Sequence, residues 1–262
     1  MYGVRYRVQC TLSTANHDND PTASDEVGAD MATRMIPGTE PRSRLSRERV
    51  LSAAMAHADA GGLEVLSMRK LAEELGVAPM ALYRHVANKD DLVDGMVDVV
   101  FDEIELPSAG ESWKTAMRKR AVSVRDALVR HRWAIGLMES RRNPGPANLR
   151  HHDAVIGSLR AAGFSMEMIA HAYALLDAYV YGFALTKMNL PFESGDDVAE
   201  IAQTMLDPFP VNEYPNLVAF ITEHAMKPGY DFGDEFEYGL DLILDRLEAP
   251  AVRAEPTAVV DD

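Results

Sequence analysis

In the stretch "LGVAPMALYRHVANKDDL", residues 75–92, Tyr83, Arg84 and His85 are consecutive and Lys89 follows one helical turn later. These side chains donate hydrogen bonds, and the chemistry they suit is neutralising and gripping phosphate oxygens, not making or breaking covalent bonds. Tyr83, His85 and Lys89 offer donors to phosphates. Ala78 and Ala81 are small enough to let backbone approach base edges. Arg69 lies on the same side of the segment, and an arginine so placed can hold guanine bidentately, worth roughly 1–3 kcal/mol of discrimination.

A second set of residues suits a small molecule. Trp133, Leu137, Met138, His152, Ile156, Tyr173, Leu176, Asp177 and Tyr181 form an aromatic and Met-rich group with a few polar handles, the usual lining of a ligand pocket. The same residues at helical spacing serve equally well as core. Tyr173 and Asp177, four apart, are its most polar pair, and they are equally placed to satisfy each other at a subunit interface. Other chemistry finds little support. Gly-x-Ser-x-Gly and phosphate-loop motifs are absent, and the lone cysteine, Cys10, lies in a polar leader. The "RHH" at 150–152 places adjacent histidines about 100° apart on a helix, unable to chelate one ion together. Neither a metal nor a cofactor is expected.

The elements that must position these residues are helical. From Ser46, the apolar residues Val50, Leu51, Ala54, Met55 and Ala58 recur at three- and four-residue steps and stop at Gly61-Gly62. Ser67 caps a second helix, "MRKLAEELG", with Leu71, Ala72 and Leu75 inward and Gly76 as its stop. Pro79 suits the first turn of a short third helix ending near His85-Val86. Asn88 caps a fourth, with Asp90 and Asp91 in its first turn, running to Pro107. Helix, turn and helix of these lengths predict a helix-turn-helix whose second helix enters the major groove. The plainer alternative is a three-helix structural subdomain.

Beyond Pro107 the pattern predicts further helices, including a long one, "SMEMIAHAYALLDAYVYGFALTKMNL", apolar around much of its circumference. Connectors rich in Pro and Gly ("RRNPGPA", "DPFPVNEYP", "KPGYDFG") separate them. With no convincing strand, the expected fold is all-α. The expected organisation is a polar tail over 1–40, a helix-turn-helix domain over 41–92, a helical effector-binding and dimerisation domain over 93–249, and a tail over 250–262. Met31 and Met35 precede the organised part, and either is a candidate start.

Net charge is −15, but its distribution is uneven. Residues 41–90 carry 8 Lys and Arg against 6 acids, whereas residues 91–262 carry 15 against 29. DNA affinity depends on local phosphate neutralisation, so an acidic body does not oppose a basic head. A single cysteine excludes an internal disulfide framework and a thiolate cluster. No uninterrupted apolar run approaches the roughly 18 residues of a membrane span, and the N-terminus lacks a signal peptide's basic start and apolar core. A cytoplasmic protein is expected.

Residues 46–101 resemble the N-terminal DNA-binding domain of the TetR family of bacterial repressors. The string "LY-x-HV-x-NK-x-x-L" at 82–92 carries the match. The resemblance implies that Tyr83, His85 and Lys89 anchor the phosphate backbone and that Arg69 reaches a base. Pro79, Met80, Ala81 and Arg84 replace the more polar reading residues of the tetracycline-responsive members, which implies a different operator. The likeness continues through "LRAAGFSMEMIAHAYALLDAYVYGFAL" and implies a homodimer, helices near 166–190 and 234–248 forming a four-helix bundle across two chains. A dimer suits a pseudo-palindromic operator with half-sites about 34 Å apart. By ungapped count Glu139 and Val155 fall where those members have a magnesium-binding histidine and a drug-binding glutamine, so tetracycline is not the expected ligand. The resemblance implies a repressor released from double-stranded DNA by some other small molecule. Two alternatives stand beside it: an all-α enzyme or binding module with a vestigial helix-turn-helix, and a regulator controlled by a protein partner.

Overall fold

A computed structural model describes residues 44–108, 110–191, 201, 204 and 212–247. The two polar tails, most of the segment "VAEIAQTML" and the candidate start methionines lie outside the described residues. Among the described residues there are nine α-helices and no strand. They are α1 (Arg47–Gly61), α2 (Met68–Leu75), α3 (Pro79–Leu82), α4 (Lys89–Asp102), α5 (Trp113–Arg130), α6 (Pro146–Ala161), α7 (Met166–Asn189), α8 (Pro215–Phe220) and α9 (Asp234–Arg246).

The caps follow the sequence closely. Ser46, Ser67 and Asn88 each accept a hydrogen bond from the backbone N–H three residues on, so the orphan donors of α1, α2 and α4 are met locally. Gly76 takes the left-handed conformation at φ 66°, which lets its own N–H reach Glu73 O and that of Val77 reach Ala72 O. This closes α2 and turns the chain into α3, where Pro79 takes the first turn. Helices α1, α2 and α3 and the turn after α3 bury Val50, Ala54, Leu71, Leu82 and Val86 against one another and against Leu92 and Met96 of α4.

The expected boundary at residue 92/93 falls inside α4, which runs unbroken from the head into the body. Its apolar face, Leu92, Val93, Met96, Val97, Val100 and Phe101, is buried along its length. One continuous hydrophobic cluster therefore runs from Val50 to Leu247.

The opposite polar stripe of α4 holds Asp90, Asp94, Asp98 and Asp102, four residues apart and so on one face. Each meets α6 or the loop before it. Arg141 pairs with Asp94 and donates to Asp90 O at 3.2 Å, and Asn143 Nδ2 donates to Asp94 at 3.3 Å. Arg150 Nη2 donates to Asp102 at 2.8 Å. Asp98 accepts the N–H of Asn148 at 2.9 Å, in the first turn of α6. The N-cap of α6 is Gly145, which has no side chain to do this. A Cβ there would collide with the Asp98 carboxylate, so Gly145 supplies space while Asp98 supplies the cap from another helix.

Helix α7 packs through Ile169, Ala172, Leu176, Val180 and Phe183. Phe183 stacks on Phe232 at 4.9 Å and meets Phe236 edge-on, while Tyr179 donates to Phe236 O at 3.0 Å, fixing α9 against α7. By length and composition α7 is long and apolar enough to cross a membrane, which corrects the reading that no segment is. Counting uninterrupted apolar runs missed it because its charged residues are few and widely spaced. Here α7 lies in the body, with Asp177 paired to a buried arginine.

Replacing Asp98 by Ala should remove the remote cap of α6 and cost about 1 kcal/mol. At fixed protein concentration the thermal midpoint should fall by roughly 2–4 °C. An unchanged midpoint would show that the α6 N-terminus needs no partner on α4.

Candidate functional site

The reading turn is built by burying one residue per helical turn. Leu82 and Val86 are buried, whereas Pro79, Met80, Tyr83 and Arg84 are exposed, and Ala81 and His85 are half-buried. The turn is held from behind by α1. Arg47 Nη1 donates to His85 O at 2.7 Å, and its Nη2 donates to Asp91 at 2.9 Å. Asp91 also accepts the N–H of Ala87 at 2.7 Å. The Arg47 guanidinium, with that N–H, holds the Asp91 carboxyl below its ordinary range. Arg47 thus fixes the exit of the reading turn and the entry to α4 together.

The two residues expected to touch DNA outside the turn already have partners. Arg69, largely exposed, donates to Glu73 at 2.9 Å, so a guanine must compete with that surface carboxylate. Lys89 Nζ donates to Leu66 O at 2.8 Å and to Leu63 O at 3.4 Å. An ammonium has three protons, so Lys89 fastens the α1–α2 loop while keeping charge and a donor at the exposed edge.

The body contains a buried polar centre. Arg120 on α5 is 2 % exposed. Its Nη2 donates to Asp177 Oδ1 on α7 at 2.6 Å, its Nε donates to His151 Nε2 on α6 at 3.1 Å, and its guanidinium lies 5.0 Å from the Tyr173 ring centre. His152 Nδ1 and the Tyr173 hydroxyl are 2.5 Å apart. Tyr181 donates to Glu139 Oε1 at 2.9 Å. Phe101, from α4, lies 5.3 Å from His151 and 5.7 Å from His152, ring centre to ring centre.

Burial sets the protonation here. It pushes the His151 imidazole down to about 3, with the Arg120 charge acting in the same direction, so the ring is neutral. Burial raises the Tyr173 and Tyr181 phenols, and both stay protonated. Burial also pushes the Asp177 carboxyl upward against the attraction of Arg120.

Of the residues singled out for a ligand, His152, Tyr173, Asp177 and Tyr181 come together around this centre, while Leu176 is buried in the core. Tyr173 and Asp177 do not pair with each other: each has its own partner, His152 and Arg120. Trp133 sits elsewhere, its Nε1 donating to Asp59 on α1 at 2.7 Å beside His131, which contacts both Asp59 and Glu103. Met138 is buried in the core, Leu137 packs against it, and Ile156 is 36 % exposed. Sequence reasoning missed Arg120, His151 and Phe101. Their signal was positional: Arg120 occupies the apolar stripe of α5 with Met117, Ala121 and Val124, and His151 shares that of α6 with Ala147 and Val155. A charge or imidazole on such a stripe must find a buried partner. Among the described residues no cluster of His, Cys, Asp and Glu could hold a metal ion.

An exposed reading turn on a three-helix head, joined by one shared helix to an all-α body with a buried polar centre, defines a helix-turn-helix regulator of transcription. The chain belongs to the TetR family. Residues 50–96 match the family model described as "Bacterial regulatory proteins, tetR family". Residues 106–250 match "Tetracyclin repressor-like, C-terminal domain". The chain is 33% identical to the HTH-type transcriptional repressor DrrR1 of Streptomyces coeruleorubidus over 81% of its own length and 80% of that protein's. It is 41% identical to the class D tetracycline repressor protein of Escherichia coli over 56% of its own length and 68% of that protein's. Among solved structures it resembles the Streptomyces coelicolor TetR family protein ActR in complex with actinorhodin, with a TM-score of 0.63 at 30% identity. That match covers 78% of this chain and 96% of ActR.

Two outcomes test the polar centre. Arg120→Leu alone strands the Asp177 carboxylate and should cost roughly 3–5 kcal/mol in urea unfolding, while adding Asp177→Leu should restore most of it. No recovery in the double variant would deny the pairing. The second test is acid. Free histidine titrates near 6.5 and His151 near 3, so the unfolded chain takes up this proton first as pH falls. Stability should therefore decline as pH falls from about 6.5 toward 3, and His151→Gln, which keeps an acceptor for Arg120, should flatten that slope.

Proposed function

We propose that this protein is a cytoplasmic homodimeric repressor that holds a pseudo-palindromic operator through its reading turns and lets go when a small molecule enters the body. No catalysis is part of this reading. The observation that carries it is α4: one unbroken helix begins in the DNA-reading head and ends at the polar centre with Phe101. A ligand that favours one placement of α6 and α7 also favours one placement of α4, and hence one separation of the two heads. A coupling of about 1–3 kcal/mol makes a useful switch.

On the DNA side, Arg69, Pro79, Met80, Ala81, Tyr83, Arg84, His85 and Lys89 form the contact surface, with Arg69 reading a base and Tyr83, His85 and Lys89 gripping phosphates. On the effector side, His152, Tyr173, Asp177 and Tyr181 act together with Arg120, His151 and Phe101. Support for a ligand comes from ActR, whose solved structure holds actinorhodin. Support for a dimer comes from the outer faces of α7 and α9, which leave Leu175, Leu185, Tyr238 and Leu242 exposed. Tetracycline is not the effector in this reading, because Glu139, which accepts from Tyr181, falls by ungapped count where the resemblance implies a metal-binding histidine.

The first experiment is recovery and sequencing of genomic fragments bound by the purified protein at about 0.15 M salt. Enrichment of one pseudo-palindrome is expected, and its absence with folded dimer overturns the reading. On that operator, Arg69→Ala should lose about 1–3 kcal/mol and relax one base pair while sparing random DNA. Lys89→Ala should weaken both DNAs alike and reduce the salt slope by about one. Equal losses on both DNAs for Arg69→Ala would remove the base contact.

A further inference from the structure

The tip of the reading turn carries no side chain that makes an ordinary hydrogen bond. Pro79, Met80 and Ala81 occupy it, and the polar side chains of Tyr83, Arg84 and His85 begin only after Leu82. Met80 is 74 % exposed, more than any other large apolar side chain among the described residues. Its direction is set by Leu82. Two residues on, about 200° around the helix, Leu82 is fully buried in the head, so Met80 points away from it. The turn that carries Met80 is itself held, by Pro79 at its start and by the bond from Arg47 to His85 O at its end. A single exposed apolar side chain is ordinary on a protein surface. At the point of a DNA-reading turn it decides what can lie opposite.

In the major groove adenine, guanine and cytosine present only hydrogen-bonding groups, whereas thymine adds an apolar one, its C5-methyl. A thioether chain pressed on a polar base edge displaces water without replacing its hydrogen bonds, which costs binding. Against a methyl group the same chain buries apolar surface on both partners. We propose that Met80, with Ala81 beside it, selects thymine: each operator half-site carries a thymine beneath the tip, read through its methyl group and not by hydrogen bonds. This rests on the repressor reading, and it assigns the base chemistry that the tip accepts, separate from the base contact of Arg69.

The test uses the full chain and the operator recovered from genomic DNA, with each thymine of one half-site replaced in turn by deoxyuridine. Deoxyuridine pairs as thymine does and lacks only the methyl. At one or two positions affinity should fall roughly four-fold, the worth of one buried methyl. The factor should be the same at about 0.1 M and about 0.3 M salt, since no phosphate contact is lost. Met80→Ala should weaken binding to the unmodified operator and show no further loss on the sensitive deoxyuridine. Because Met80 is exposed, this variant should keep the wild-type thermal midpoint. If it does not fold, Met80→Gln, which keeps the length and replaces the apolar tip by an amide, takes its place with the same expectation. A deoxyuridine penalty that persists in these variants would trace it to the deformability of the DNA and overturn the proposal. An operator on which no deoxyuridine costs affinity, or whose half-sites lack thymine, would overturn it too, and both leave the repressor reading intact. A folded protein that selects no operator fails the repressor reading itself.

Discussion

Helix α4 has to serve both the head and the body of one continuous core with one length of backbone, and most of the molecule follows from how it does so. Its apolar stripe belongs to the head at Leu92 and Met96 and to the body at Val100 and Phe101. Its aspartate stripe lies along α6 and the loop before it, with Arg141, the α6 backbone and Arg150 as successive partners. Apolar contact is non-directional and permits a helix to slide, whereas a row of charged hydrogen bonds four residues apart fixes its register. A shift of α6 therefore moves α4, and with it the reading turn that Arg47 ties to the α4 entry.

The polar centre lies at the body end of α4, where Phe101 meets His151 and His152. A buried ion pair contributes little net stability compared with apolar side chains of the same size, since desolvation consumes most of the attraction. What it contributes here is definition. Arg120 joins α5 to α6 through His151 and α5 to α7 through Asp177, and it fixes the tautomer of His151 in doing so. Three helices that would pack by apolar contact alone are given one arrangement.

The opposite charges of head and body are consistent with this division. The head concentrates basic residues around the reading turn, while part of the body's acidity is paired with arginines such as Arg118, Arg141 and Arg150. Arg47 is one of the basic residues of the head, yet its guanidinium is turned inward to Asp91 and His85 O.

Local physics was legible in the residues themselves. Ser46, Ser67 and Asn88 as caps, Gly76 as a left-handed stop, Pro79 at a first turn and the apolar stripes of α1 and α4 are each decided within a few residues, because helix termini and amphipathic faces depend on neighbours in the chain. The all-α class and the reading turn followed from them. The partners of polar side chains did not, since these join residues far apart in sequence: Arg120 with Asp177, Asp98 with the N–H of Asn148, Trp133 with Asp59. Sequence chose His152 over His151 for the ligand, whereas packing buried His151 and gave it the arginine. A residue's type and spacing determine which face it occupies; only the packing of helices against one another decides which of its donors remains free, because that depends on groups the chain brings together only when it folds.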